Sequence, residues 1–253
     1  MNKLFRTLFV LLAMSSQTNA SQTQPHRSID ADELLPFTQA NRKTSYSKDL
    51  AGLYSVKAFQ MNQIAQPYNE FAALYHNAIA AQSELEMITE RIALESGTST
   101  LSSGIKSQLR AINKINNKLV GNSEAITDLV RTSIVAKDIP ALMNAFTLIE
   151  NETQLVRIKN RFKTPGASGY RDLSLLVRLP GSQIIAEVQL HLEAFSVIKN
   201  GKEHDNYEQI QQIEHLQLTE NRTLNELELT AIKRIRQESK QLYQQAWSQY
   251  LSA

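Results

Sequence analysis

At 253 residues the chain is long enough for one domain with a substantial core and a helical extension. A net charge of +2 gives no bulk electrostatic case for DNA, tRNA or an acidic membrane as partner. The absence of cysteine excludes disulfides, thiolate metal sites and a cysteine nucleophile, and the five histidines show no zinc-site spacing.

Residues 1–20 follow the three-part plan of a secretory signal. Lys3 and Arg6 precede the apolar run Leu8–Met14, and polar Ser15–Asn19 ends at Ala20. The run is too short to span a bilayer; a buried first helix or a mispredicted start is the alternative reading. No cysteine follows it, so it is not a lipoprotein signal. Ser21–Lys48 is polar and aperiodic and reads as a linker.

From Asp49 to Glu95 the pattern is helical, with Leu53, Val56, Phe59 and Ile64, then Phe71, Leu74, Ile79, Leu85, Ile88 and Ile92 at three-to-four spacing. Pro67 divides this arm into two helices. Tyr54, Tyr68 and Tyr75 are either a stacking surface for bases or, as the period favours, helix core. Gly97–Gly104 reads as a loop and hinge. In GIKSQLRAINKI, Lys106, Arg110 and Lys114 recur every four residues, which places them on one helix face near its start. Such a face is a solvated surface or a triphosphate grip.

Ala125–Ala136 reads as a buried strand carrying Asp128 and Arg131, charges that are costly there unless paired or functional. Ile139–Glu150 reads as a crossover helix leading to a strand at Gln154–Ile158. Arg157, Lys159, Arg161 and Lys163, followed by Gly166 and Gly169, form a basic segment suited to phosphates. Two strand-like runs follow, Arg171–Leu179 and Gln183–Leu190, split by Pro180-Gly181, a hairpin signal. Alternation puts Glu187 and Gln189 on one face, with Val188 and Leu190 on the other. An acidic residue facing several cations suits a metal-nucleotide site; a solvated charged face is the bland alternative. His191 alone reads as structural. Glu208–Tyr250 reads as one long helix, with a kink as an option, whose apolar face packs on the domain or forms a seam between copies.

GYRDLSLLV followed by EVQLHL resembles the paired strands of the RelA/SpoT nucleotidyltransferase domain, whose members make guanosine tetra- and pentaphosphate. The basic helix and the Asp128-to-Arg131 spacing fall in the family's order. The arginine at +3 without an intervening glycine resembles the RelV-type small alarmone synthetases. The similarity spans Lys106 to Tyr207, where KEHDNY resembles the family's His-x-x-Tyr segment.

The resemblance implies a nucleotidyltransferase-like α/β fold: a mixed sheet flanked by helices, with a helical N-terminal arm (49–96), a core (97–207) and long C-terminal helices (208–253). It implies ATP and GDP or GTP as substrates and Mg²⁺ held by Asp128 and Glu187. Lys106 and Lys114, with Arg110 on the same face, would lie on the ATP phosphates. Arg131, Arg157 and Lys159 would face the reacting phosphates, Tyr170 would stack on guanine, and Gln189 would support Glu187. Glu187 would serve as metal ligand or as base for the 3′-hydroxyl. Gly104 stands where the family commonly has an adenine-stacking arginine, Arg110 where it has serine, and Ser174 where many members have histidine. No second metal cluster accompanies His204-Asp205, so the expectation is synthesis of the stringent-response signal without hydrolysis. The signal-like segment points instead to the periplasm or export, whereas nucleotide chemistry points to the cytoplasm. With it stand the alternatives of a toxin using an adenosine nucleotide or tRNA as acceptor, and of a non-catalytic module.

Overall fold

The computed structural model describes residues 46–102 and 104–251. The signal-like segment, and the linker up to residue 45, lie outside the described residues. The chain runs α1 (Leu50–Ser55), β1 (Phe59–Gln60), α2 (Phe71–Ser96), β2 (Ser99–Ser102), α3 (Gln108–Lys118), β3 (Arg131–Ala136), α4 (Ile139–Glu152), β4 (Gln154–Asn160), β5 (Leu173–Arg178), β6 (Ile185–Leu192), α5 (Glu193–Asn200), α6 (Lys202–Thr219) and α7 (Glu226–Leu251). The six strands form one mixed sheet in the order β1-β4-β5-β6-β3-β2. The α/β reading therefore holds, with one parallel pair, β6–β3, and every other neighbouring pair antiparallel.

The core lies on one face of this sheet. Leu175, Val177, Val188, Leu190 and Ile134 point into it and pack with Leu85 of α2 and Phe146 of α4. The Pro180-Gly181 turn is docked onto α2, where Glu84 accepts from Gly181 N at 2.6 Å and from Ser182 N at 2.9 Å. A Cβ on Gly181 would stand 2.9 Å from that carboxylate, so a larger residue there would push the Glu84 side chain off the turn.

Four expectations are corrected. The arm is not helical throughout: after α1 the chain extends, and Phe59 and Gln60 pair with Ile158 and Arg157 as an edge strand. The helical spacing of Val56, Phe59 and Ile64 coincides with that of an extended segment laid on the sheet's margin, and α2 begins only beyond Pro67. The hinge expected at Gly97–Gly104 contains β2, which takes the other sheet edge against β3. Ala125–Leu129 is not strand: its backbone is bonded by Gln66, whose amide donates to Ile126 O at 2.8 Å, and by Lys106 N, which donates to Leu129 O at 2.9 Å. The C-terminal helix is two, α6 and α7, folded against each other around Ile210, Ile232 and Ile235. Between them Arg222 pairs with Glu228 and Asn225 caps the new helix. Tyr54, Tyr68 and Tyr75 pack against the core, the structural alternative given for them.

Candidate active site

The polar face of the sheet is built in rows. Residues paired across neighbouring strands share a face, so register alone sets Arg157, Leu176, Glu187 and Arg131 side by side, from β4 to β3. The next row is Lys159, Ser174, Gln189 and Ser133. Glu187 thus has Arg131 on the adjacent strand and Arg157 two strands away, roughly 10 Å between backbones. It forms no ion pair among the described residues, and the one side-chain hydrogen bond it accepts there is from Ser174 Oγ, 3.5 Å from Oε1. Arg131 Nε and Arg157 Nε are buried without an acceptor among the described residues. Burial draws the Arg157 pKa down; Glu187 and Asp128 oppose this and Arg161 adds to it. Lys159 is exposed and also lowered, first by Arg157, then by burial.

Asp128 stands at the end of this face, in the loop before β3. Lys106 Nζ lies 2.9 Å from Oδ2 and Lys114 Nζ 2.8 Å from Oδ1. Burial acts to raise its pKa, but the two ammonium groups outweigh it and hold the carboxyl below its ordinary value. The three-cation face is not formed. Helix α3 starts only at Gln108, so Lys106 reaches Asp128 from the preceding loop, while Arg110 is exposed. Gly104 has φ +61°, a left-handed backbone that suits glycine over any residue with a side chain.

Tyr170 closes the opposite end. Its hydroxyl donates to Asp172 at 2.8 Å, and Arg161 lies 5.3 Å from its ring centroid. Burial, then Asp172, pushes the phenol pKa far up, so it stays protonated. His191 lies beneath, almost wholly buried, 3.3 Å from both the Tyr170 hydroxyl and Gln189 Oε1. Burial, aided by Lys199 and Arg161, holds its pKa well below the usual range, and the ring is neutral. The structural reading of His191 therefore stands.

Between Glu187 and Tyr170 opens a cleft of about 570 Å³, whose far wall comes from the junction of α5 and α6. Lys199, Asn200, Glu203, His204 and Tyr207 line that wall. Lys199 donates to Gln189 Oε1 at 2.7 Å. It and Asp172 were not singled out by pattern. Lys199 closes a short helix that the sequence does not announce, and its place over the sheet is set by the packing of Phe195 on Tyr243, with centroids 5.5 Å apart.

Asp128 and Glu187 are suited to a hard divalent cation. Both offer carboxylate oxygen, and Glu187 N donates to Val130 O at 3.0 Å, which ties the glutamate's strand to the loop two residues past Asp128. No cluster of three or more acidic or imidazole ligands occurs among the described residues. Mg²⁺ usually takes one or two carboxylates and completes its shell from phosphates and water, so these two carboxylates would be enough to hold it.

No protein-family model matches the sequence, and no curated protein matches it. Solved structures do. The Type VI effector Tas1, seen in complex with its immunity protein, is 20% identical, with TM-score 0.52 over 69% of this chain and 94% of its own. The small alarmone synthetase 2 from Bacillus subtilis is 19% identical, with TM-score 0.51 over 72% of this chain and 95% of its own. The chain has the fold of the small alarmone synthetases, and the likeness is one of fold.

Proposed function

We propose that the chain is a pyrophosphotransferase that moves the β,γ-pyrophosphate of ATP to the 3′-hydroxyl of GDP or GTP, making the guanosine polyphosphates of the stringent response. One observation carries the reading: Glu187, which forms no ion pair among the described residues, shares a row of the sheet with two half-buried arginines, Arg131 and Arg157, each with a buried Nε–H that lacks an acceptor. A base flanked by spare donors suits a hydroxyl attacking a phosphoryl centre, where catalysis is positioning and charge stabilisation.

In this reading the acceptor's 3′-oxygen attacks the β-phosphorus, its proton passes to Glu187, and the bond between the α-β bridging oxygen and the β-phosphorus breaks to release AMP. Arg131 and Arg157 donate to the phosphoryl oxygens as charge develops. Lys106 and Lys114 grip the ATP phosphates, Lys159 adds charge at the open edge, and Tyr170 stacks the base. Gln189, its oxygen held by Lys199, turns its amide N–H groups toward the acceptor ribose. Asp128 and Glu187 would hold Mg²⁺, which would supply charge neutralisation at the ATP phosphates. Arg110, exposed one turn before Lys114 on α3, would add charge beside the ATP phosphates.

A second reading keeps the chemistry but changes the acceptor to an adenosine nucleotide or tRNA. Ser174 favours it, since a short hydroxyl stands where the guanosine-using family often carries imidazole. Incubating the protein with ATP labelled in the γ-phosphate, Mg²⁺ and each of GDP, GTP, GMP, ATP and tRNA separates the readings. Label in a guanosine polyphosphate supports the first, label only in another acceptor the second, and no transfer by folded protein the non-catalytic module.

A further inference from the structure

The cleft holds a second carboxylate, Glu203, for which the chemistry at Glu187 has no use. Glu203 is half-buried on the wall opposite the sheet, in the first turn of α6. It forms no ion pair among the described residues. Burial raises its pKa, with Tyr243, His204 and Lys199 acting against that shift. The buried Tyr243 hydroxyl faces it without closing a well-formed hydrogen bond. Asp205, in the same helical turn, is exposed, so a favourable helix dipole does not by itself draw an acid into the cleft.

A carboxylate that neither pairs with a cation nor serves the reacting centre repels phosphates, which points Glu203 at the uncharged parts of the ligand, and its place beside Tyr170 points it at the base rather than the ribose. Its location agrees. Tyr243, which Glu203 faces, packs edge-on against Tyr170 with centroids 5.6 Å apart. Lys199, four residues before Glu203, places its ammonium 5.9 Å from the Tyr170 ring centroid. The wall therefore offers one acceptor group and one donor group beside the aromatic ring.

We propose that Glu203 and Lys199 read the acceptor base and select guanine. The edge of guanine presents O6 as an acceptor next to N1–H and the 2-amino group as donors; Lys199 meets the first and Glu203 the other two. Adenine presents the reverse, an amino donor at C6 and an acceptor at N1, so both contacts become repulsive or unmade. A site whose buried polar groups lose their partners rejects the wrong ligand strongly. The inference rests on the cleft being the acceptor's site.

Calorimetric titration of the full chain with GDP, IDP and ADP, in the presence of a non-hydrolysable ATP analogue, tests it, because IDP differs from GDP only in lacking the 2-amino group. The wild type is expected to bind GDP about tenfold more tightly than IDP, the scale of one lost charge-assisted hydrogen bond, and ADP most weakly. In Glu203→Gln the GDP–IDP gap closes. A gap that persists in Glu203→Gln, or equal GDP and IDP binding by the wild type, overturns the base-reading role while leaving the guanosine acceptor in place. Wild-type preference for ADP overturns the acceptor reading itself, before any variant is made.

Discussion

Tyr170 donates its phenolic hydrogen to Asp172 at 2.8 Å, and Asp172 is fully buried. Arg161 grips the same carboxylate from Nε and Nη2, at 2.6 and 2.7 Å. One buried charge thus fixes both the aromatic ring and the basic loop at the end of the cleft. Replacing Asp172 with alanine strands Arg161, and breaking a buried pair on one side costs about 3–5 kcal/mol. Urea denaturation is expected to show a loss of that size. A change of less than about 1 kcal/mol, the worth of a surface pair, would mean that Asp172 does not hold this corner.

Gln82 is a second support, on the far side of the reacting row. Its side-chain amide accepts from Arg131 N and donates to Arg131 O, both at 3.1 Å, so it acts as an extra rung of strand pairing. Gln82→Ala leaves both backbone groups unpaired and is expected to cost about 2 kcal/mol. Turnover should fall with it while the Km for ATP is little changed, because Arg131 shifts and Lys106 and Lys114 do not. An unaltered kcat in a protein that melts normally would show that Arg131 needs no such anchor.

Asp128 gives a pH signature. Its folded pKa lies below the ordinary 3.8 of an aspartate, so the stabilisation it gains from Lys106 and Lys114 is fully present above that value. It is lost as pH falls through the lower, folded value. Asp128→Asn should therefore be less stable than the wild type at neutral pH, with the two converging below pH 3.8. Parallel melting curves down to strongly acid pH would contradict the double-lysine grip.

His191 works in the other direction. Its folded pKa is below the ordinary 6.5, so the unfolded chain binds the extra proton first as pH drops. Stability should decline as pH falls below 6.5, and His191→Gln should flatten that decline. An identical slope in the variant would assign the proton uptake elsewhere.

Much of this was legible in the chain. Pro180-Gly181 between alternating runs marks the hairpin, and the same alternation places Glu187 and Gln189 on the polar face, as found. The edges were not legible. Ser99–Ser102 is a polar strand exposed at a sheet margin, without the alternation that burial of one face imposes. Phe59–Gln60 is too short to carry a period. Arg110 illustrates the limit of spacing arguments, which assume that a helix already exists at Lys106. The break between α6 and α7 lacks proline and glycine; its one short-range signal is Asn225 with Glu228 three residues on, a reciprocal capping box to which Arg222 adds an ion pair, and it is easily passed over inside a run of helical period. Lys199 and Glu203 reach the cleft only because α5 and α6 fold over the sheet, and that placement is a property of packing.

The most direct measurement is ATP-to-GDP label transfer by the wild type and by Glu187→Gln at matched concentration, with thermal melts of both. The account predicts a labelled guanosine polyphosphate from the wild type and a rate at least about a hundredfold lower from the variant, the scale of a lost general base, at an unchanged melting temperature. A Glu187→Gln protein that transfers label at a rate near the wild type's would contradict it.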